Sequence, residues 1–398
     1  MKKIYLLLML MTWPILFCYG DIKSAPLTTN ADAVKLYNYL NEQYGKKTIS
    51  AVMAEWNWNH NVADQIYKDV GKYPAMNCYD FIHIFVPKGN GWIDYTDITP
   101  VKEWADAGGI VSLMWHFNVP TSETATITAS GGGVTFEPSK TTFKASNALI
   151  EGTWENKWFY QEMEKVADVI LQLQVQGIAA LWRPFHEAAG NATAKQQANW
   201  TKAWFWWGYD GADVYKKLWV AMYDYFKQKG VTNLIWVWTT QNYNGNSTGY
   251  NQDTDWYPGD EYVDIIARDL YGSTTAQNLQ EFTEIQTTYP TKMVVLGECG
   301  KSGNTAFANI PDIWESGAKW GWFMGWCGDN LPSSEWWQAA LNSEYVITRD
   351  EVNMQSSGIS SVKTPCHTND TRYNLSGQEV GHSYRGVVIQ NGKKFISL

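Results

Sequence analysis

The sequence predicts a closed (β/α)8 barrel with extended rim loops and a short C-terminal β-like segment. Three observations carry the prediction. Eight strand-like runs alternate with helical patterns between residue 22 and about residue 350. Most of these runs are near-continuously apolar, as parallel strands covered by helices must be. At least six of them end on polar or aromatic residues, at the edge where a barrel of this kind presents its substrate site. The alternative is an open, doubly wound sheet, which usually announces a phosphate-binding glycine turn after its first strand. Here the first strand runs into Glu55-Trp56-Asn57-Trp58 instead. Gly131-Gly132-Gly133 does not supply such a turn either. A phosphate loop needs its lysine directly after the last glycine, and Lys140-Thr141 comes too late.

The elements follow in chain order. Met1-Lys2-Lys3 and the apolar run to Phe17 have the layout of a secretory signal peptide over residues 1–20, with Cys18 and Gly20 as the small residues before the cut. The run is too short to favour a membrane anchor, and no later stretch reaches spanning length. A secreted or periplasmic chain with no membrane span is expected. A lipid-bearing Cys18 is the lesser alternative, because bulky Phe17 precedes it. The barrel is assigned to residues 21–350. Asn30-Ala31-Asp32 opens a helix that continues to Leu40. The eight strands are read at 49–54, 74–80, 109–116, 179–187, 233–239, 263–271, 292–299 and 320–326. The clearest intervening helices are 158–173 and 212–228, with apolar residues three and four apart. Residues 240–262 are polar and rich in Asn, Gly and Asp, and read as a long rim loop. Residues 351–372 are a Ser/Thr-rich linker. Residues 373–398 read as short strands around an Asn391-Gly392 turn. So short a segment cannot bury a core of its own.

Composition narrows the partners. The formal charge is −9, and −11 once Lys2 and Lys3 leave with residues 1–20. An acidic chain has no long-range attraction for nucleic acid. A neutral polymer is not repelled by it, and the 23 Trp and 23 Tyr are numerous enough that some are expected in the core and others lining a groove. Large rigid aromatics are good platforms for the apolar faces of sugars. Cys78, Cys299, Cys327 and Cys366 are too few for a disulfide scaffold, and their spacing has no CxxC unit and no histidine at zinc-like distance. No cofactor is expected. Cys299 and Cys327 both follow rim residues of neighbouring strands. A bridge between them and a pair of free buried thiols are both open.

Two stretches carry the chemistry: Leu181-Trp182-Arg183-Pro184-Phe185-His186-Glu187 and Val294-Val295-Leu296-Gly297-Glu298-Cys299-Gly300. Each is an apolar strand that delivers a glutamate to the rim. Two glutamates meeting across one barrel mouth are the apparatus for breaking a glycosidic bond. Glu187 is the candidate acid/base, which requires a raised carboxyl pKa. Glu298 is the candidate nucleophile, ionised and held by donors. Tyr271, ending the sixth strand, can donate to it. Arg183 supplies positive charge to the same floor. His116 and His186 can bind sugar hydroxyls or orient a carboxylate, and Trp326 can form an apolar floor. Taken singly, each of these residues also fits a packing or salt-bridge role; their convergence on one rim favours a site.

These motifs resemble glycoside hydrolase family 26, and within it the endo-β-1,4-mannanases. The resemblance covers roughly residues 25–350 and rests on Arg183-Pro184-Phe185-His186-Glu187, Trp204-Phe205-Trp206-Trp207-Gly208, Tyr257-Pro258-Gly259-Asp260, Tyr262-Val263-Asp264 and Gly297-Glu298. It implies Glu187 as acid/base, Glu298 as nucleophile, Tyr271 in contact with the nucleophile, and His116, Arg183, His186, Trp204, Asp269 and Trp326 as substrate contacts. It also implies retention of anomeric configuration without a metal, and a β-mannan or manno-oligosaccharide substrate handled by a monomer. One departure is the polar stretch 191–203, which separates the glutamate from the Trp-rich motif and is expected to border the cleft near Glu187. The C-terminal segment resembles the terminal sequences of exported proteins from Bacteroides-like bacteria. The competing functions are a retaining enzyme for another β-glycan, such as mixed-linkage glucan or xylan, and a non-catalytic glycan-binding protein. The latter usually lacks one of the two carboxylates.

Overall fold

The computed structural model describes residues 24–190, 203–241 and 253–354, and, in the C-terminal stretch, residues 372–374, 379–381, 385–390 and 393–397. The expected leader, most of the stretch 191–203, the centre of the 240–262 loop, the Asn391-Gly392 turn and Cys366 lie outside the described residues.

Eight parallel strands form the barrel: β1 Thr48–Met53, β2 Met76–Asp80, β3 Ile110–Trp115, β4 Ala180–Pro184, β5 Leu234–Thr240, β6 Ile265–Tyr271, β7 Met293–Gly300 and β8 Trp322–Gly325. They pair in chain order, and β8 closes on β1 with Ile49 opposite Trp322. A further short strand, β9 Val346–Ile347, pairs with the start of β1. Apolar side chains fill the interior and the helix-facing surfaces, so every residue of β1, β2, β3, β4, β5 and β7 is buried. That double burial explains why the strands read as apolar runs rather than alternating ones.

Several helices start where a capping side chain satisfies the first amides. Asn30 accepts from the amides of Asp32 and Ala33 at the head of Ala31–Gln43. Thr153 accepts from the Asn156 amide, so the helix expected from residue 158 begins at Trp154 and runs to Val175. Buried Asp264 ties the N-terminal segment to the barrel floor by accepting from the amides of Leu27 and Trp236, both at 2.8 Å. A short rim ladder, Val119–Pro120 with Val134–Thr135, lies in the β3 loop.

Two strand ends depart from expectation in ways that shape the site. β4 was expected to run to Glu187 but stops at Pro184. Proline removes a ladder donor, and Phe185 and Glu187 then adopt left-handed backbone angles, with φ of 46° and 51°. Between β6 and β7 the register slips: Arg268 faces Leu296, while Asp269 faces Glu298. Gly297 is the extra residue, so a bulge re-aims Glu298. A Cβ at Gly297 would lie 2.6 Å from the Asp269 Oδ1 atom, so only glycine fits.

Residues 355–398 form a second compact unit. Its described strands make a four-stranded antiparallel sheet in the order Glu379–Val380, Arg372–Asn374, Gly386–Gln390, Lys393–Ser397. Gln390 pairs with Lys393 across the Asn391-Gly392 position. Among the described residues no helix is long and apolar enough to cross a membrane.

Candidate active site

The C-terminal ends of β2, β3, β4, β6, β7 and β8 bring the expected residues to one mouth. One carboxyl oxygen from each of Glu187, Asp269 and Glu298 lies within 4.8 Å of the others. Three carboxyls this close would repel one another or collect a cation. Arg183, on β4, supplies that positive charge. Its Nη1 donates to Asp269 Oδ2 at 2.9 Å and to Thr239 Oγ1 at 3.1 Å, and its Nη2 donates to Glu298 Oε1. Burial disfavours the guanidinium charge, but Asp269 and Glu298 outweigh it and hold Arg183 firmly protonated.

Glu298 is gripped from two sides. Arg183 takes Oε1, and the Tyr271 hydroxyl donates to Oε2 at 2.5 Å. His186 Nε2 stands 4.0 Å from Oε1. Burial, with His116 and Arg183 nearby, keeps the His186 pKa well below the usual range, so its ring is neutral. Burial and the adjacent Glu298 charge raise the Tyr271 pKa, so its hydroxyl stays a donor.

Glu187 is held differently. Trp204 Nε1 donates to its Oε2 at 2.9 Å. Burial first, and then the charges of Asp269 and Glu298, push its carboxyl pKa well above the ordinary value; Arg183 and the Trp204 N–H pull weakly the other way. Burial likewise pushes Asp269 up, to about 7, against the pull of Arg183. The mouth thus contains one carboxyl that favours its proton and one that is tied to a cation and a hydroxyl, the division of labour that acid/base and nucleophile require.

The Trp-rich motif explains how Glu187 keeps its unusual backbone. Trp207 Nε1 donates to the His186 carbonyl at 2.8 Å, and Trp206 Nε1 to the Phe117 carbonyl at 2.6 Å. Phe205 stacks on Trp207 at 4.4 Å and packs against His186 at 5.0 Å. Gly208 lets this layer close on the turn, since a Cβ there would stand 1.8 Å from the Ala188 carbonyl oxygen. Ala203, the described end of the 191–203 stretch, is buried.

The residues expected to contact substrate also gather. His116 lies 4.5 Å from the His186 ring and 6.0 Å from Trp326, centroid to centroid. Its amide and Nδ1 both bond to Asp80, which fixes the ring and leaves Nε2 for other partners. The sequence reading singled out His116, Arg183, His186, Trp204, Asp269, Tyr271 and Trp326, and the structure brings all seven to the mouth with the two glutamates. It passed over Asp80, Thr239, Phe205 and Trp207 as parts of the site. Asp80 is visible as a carboxylate ending β2 beside the histidine that follows β3, and Phe205 and Trp207 lie within the Trp204–Gly208 motif that carries the resemblance; Thr239 gives no signal beyond strand character. Cys78, Cys299 and Cys327 are buried free thiols, so the bridge between Cys299 and Cys327 is not formed.

Comparison with known proteins agrees with this geometry. The profile of glycosyl hydrolase family 26 matches residues 27–351. The chain is 30 % identical over 336 residues to a mannan endo-1,4-beta-mannosidase of Thermothelomyces thermophilus, covering 82 % of this chain and 62 % of that protein. It spans 50–62 % of the length of the first three curated relatives it matches. Among solved structures, the family 26 domain of an endo-beta-mannanase/endo-beta-glucanase from Prevotella bryantii is 60 % identical, with a TM-score of 0.80, over 83 % of this chain and 98 % of that one. A beta-mannanase from a symbiotic protist of the termite Reticulitermes speratus, solved with a gluco-manno-oligosaccharide, is 32 % identical with a TM-score of 0.65, over 84 % and 98 % of the two chains.

Proposed function

The chain belongs to glycosyl hydrolase family 26, and on that premise we propose that it is an endo-acting, retaining β-1,4-mannanase, cleaving internal β-1,4-mannosidic bonds of mannan, galactomannan or glucomannan. The observation that carries the reading is the pair of glutamate carboxyls within 4.8 Å, one favouring its proton and the other held by Arg183 and Tyr271. Retaining glycosidases place their carboxyls about 5–5.5 Å apart, and inverting ones about 6.5–9.5 Å. The relatives named above, described as mannanases, supply the substrate class.

In the first step a Glu298 oxygen attacks the anomeric carbon. The bond to the leaving oxygen breaks, and Glu187 gives that oxygen its proton. The product is a mannosyl ester on Glu298. Glu187, now ionised, takes a proton from a water that attacks the same carbon, releasing Glu298 and restoring the original configuration. Arg183 and Tyr271 keep Glu298 in place and hold negative charge when the ester breaks. His116 and His186 bind sugar hydroxyls, and Trp326 lies under the reacting ring. As proposed organisation, residues 1–20 are an export leader, 21–350 the catalytic barrel, 351–372 a linker and 373–398 a small β segment. The enzyme acts outside the cytoplasm, a reading supported by the leader-like N-terminus, and works as a monomer.

The test is hydrolysis of mannan, galactomannan, glucomannan, lichenan and xylan, with the first-formed anomer followed by proton NMR. The reading predicts rapid loss of mannan viscosity, reducing ends from the three mannans, and β product first. Preferential cleavage of lichenan or xylan would move the substrate elsewhere, and α product first would overturn retention.

A further inference from the structure

Among the described residues, two of the most exposed large aromatics, Trp56 and Trp92, lie 45 % and 49 % open in the loops that follow β1 and β2. Both loops leave from the C-terminal ends of their strands, the same face that carries Glu187 and Glu298. Neither ring is needed to fill the barrel.

The closed strand order gives these loops a direction. Neighbouring strands of an eight-stranded barrel stand about 45° apart around its axis. Glu187 follows β4 and Glu298 is on β7, and the scissile bond must lie between them. A polymer crossing that line at right angles leaves the mouth between β1 and β2 at one end, and between β5 and β6 at the other. Trp326, under the reacting sugar, follows β8 and so marks the β1–β2 end as the side of the sugar that is attacked.

The β1 loop is built to fix the backbone around Trp56. Glu55 and Trp58, on either side of Trp56, are both left-handed, with φ of 52° and 44°. Left-handed non-glycine residues persist only where surrounding structure enforces them, and they cluster at ligand sites. Trp58 is the enforcing anchor. It is buried among Tyr79, Phe81 and Tyr95, with centroids 5.4, 5.1 and 4.7 Å away, and its Nε1 donates to the Asp97 carbonyl at 3.0 Å. In the β2 loop, Asn90 accepts from the Trp92 amide at 2.7 Å and donates to the carbonyls of Pro87 and Ile93 at 2.8 Å. The Trp92 ring rests on His83 at 4.5 Å. Asp97 and Tyr95 belong to the same loop as Trp92, so the two loops brace each other.

Resting on the mannanase reading, we propose that Trp56 and Trp92 are stacking platforms for mannosyl units upstream of the cleaved bond, so that this end of the cleft selects long chains. A preordered ring contributes contact area at little entropic cost. Binding far from the reacting centre can be drawn on in the transition state, so its loss is felt in kcat/KM on long substrates.

The experiment compares wild type, Trp56→Ala, Trp92→Ala, the double variant and the ring-retaining Trp56→Phe and Trp92→Phe, with mannohexaose, mannotriose and an activated aryl β-mannobioside as probes. The expected result is a fall of about tenfold per alanine in the ratio of kcat/KM for mannohexaose over mannotriose. The phenylalanine variants should recover most of it, and mannohexaose cut in ¹⁸O-water should shift its cleavage position. Equal losses on all three probes, with a lowered Tm, would assign both rings to folding and overturn the proposal. An unchanged ratio and cleavage pattern would overturn it as well. Wild type that is inert on every mannan probe would instead refute the mannanase reading itself.

Discussion

Glu298 and Glu187 face one another across the same mouth, yet the two sides of that mouth are built on different principles. Glu298 sits within a regular strand, re-aimed by the bulge at Gly297, with a guanidinium on one oxygen and a phenol on the other. Glu187 lies past the end of its strand, on left-handed backbone, with an indole N–H on one oxygen and two negative carboxyls nearby. One carboxyl is rich in donors and the other is surrounded by burial and like charge. The lesson is that identical side chains are given different surroundings by their supports before substrate arrives: burial and neighbouring carboxylates raise the Glu187 pKa, while a guanidinium and a phenol hold Glu298.

The largest effect that can break this comparison is loss of the proposed nucleophile. Glu298→Ala is expected to lower kcat on mannan by a factor on the order of 10⁶, the scale seen when a covalent nucleophile is removed. Reducing-sugar release would report it, and a residual rate within a hundredfold of wild type would mean that another group attacks. Removal of the proposed acid should look different. Glu187→Ala is expected to cost about 10²–10⁴-fold on mannan and much less on an aryl mannoside whose leaving group needs no proton. Azide should partly rescue that variant and give a β-mannosyl azide; an α-azide would contradict retention.

A subtler pair of changes sharpens the comparison through pH. The alkaline limb of kcat/KM should follow loss of the Glu187 proton. The Asp269 charge raises the Glu187 pKa, and the Trp204 N–H lowers it. Asp269→Asn should therefore move the alkaline limb to lower pH, and Trp204→Phe should move it to higher pH. Shifts in the same direction would show that this limb does not report Glu187.

The smallest effect is on stability. The folded pKa of Glu187 is raised, so its protonated form favours the native state at low pH, and that contribution is lost as pH rises from the unfolded carboxyl value through the raised folded one. Glu187→Gln removes the charge and should stabilise the protein by about 0.5–2 kcal/mol above neutrality. The gain should shrink towards acid pH. Calorimetry across pH would check it, and a gain that grew towards acid would reverse the sign of the argument.

Much of the barrel was legible because parallel strands under helices leave long apolar runs, and because strand ends such as Asp269-Leu270-Tyr271 and Gly297-Glu298 stop abruptly on polar groups. The β4 end was read three residues too long. Phe185 and His186 look like strand, but Pro184 ends the ladder, and the packing of Trp206, Trp207 and Gly208 from a separate stretch holds the turn that follows. The Arg183 bonds were equally hidden. Sequence placed it beside Glu187 on one strand, whereas its guanidinium reaches across the floor to Asp269 and Glu298. Asp80 was read as a strand end and proved to be the support of His116. Contacts across the barrel depend on side-chain direction, which one-dimensional spacing does not encode.

Trapping the covalent intermediate tests the central claim most directly. The protein would be incubated with a 2-deoxy-2-fluoro-β-mannoside bearing a good leaving group and then digested for peptide mass spectrometry. The account predicts one fluoromannosyl label on the peptide carrying Glu298, and none on the peptide carrying Glu187. A label on Glu187 would exchange the two roles and contradict the account.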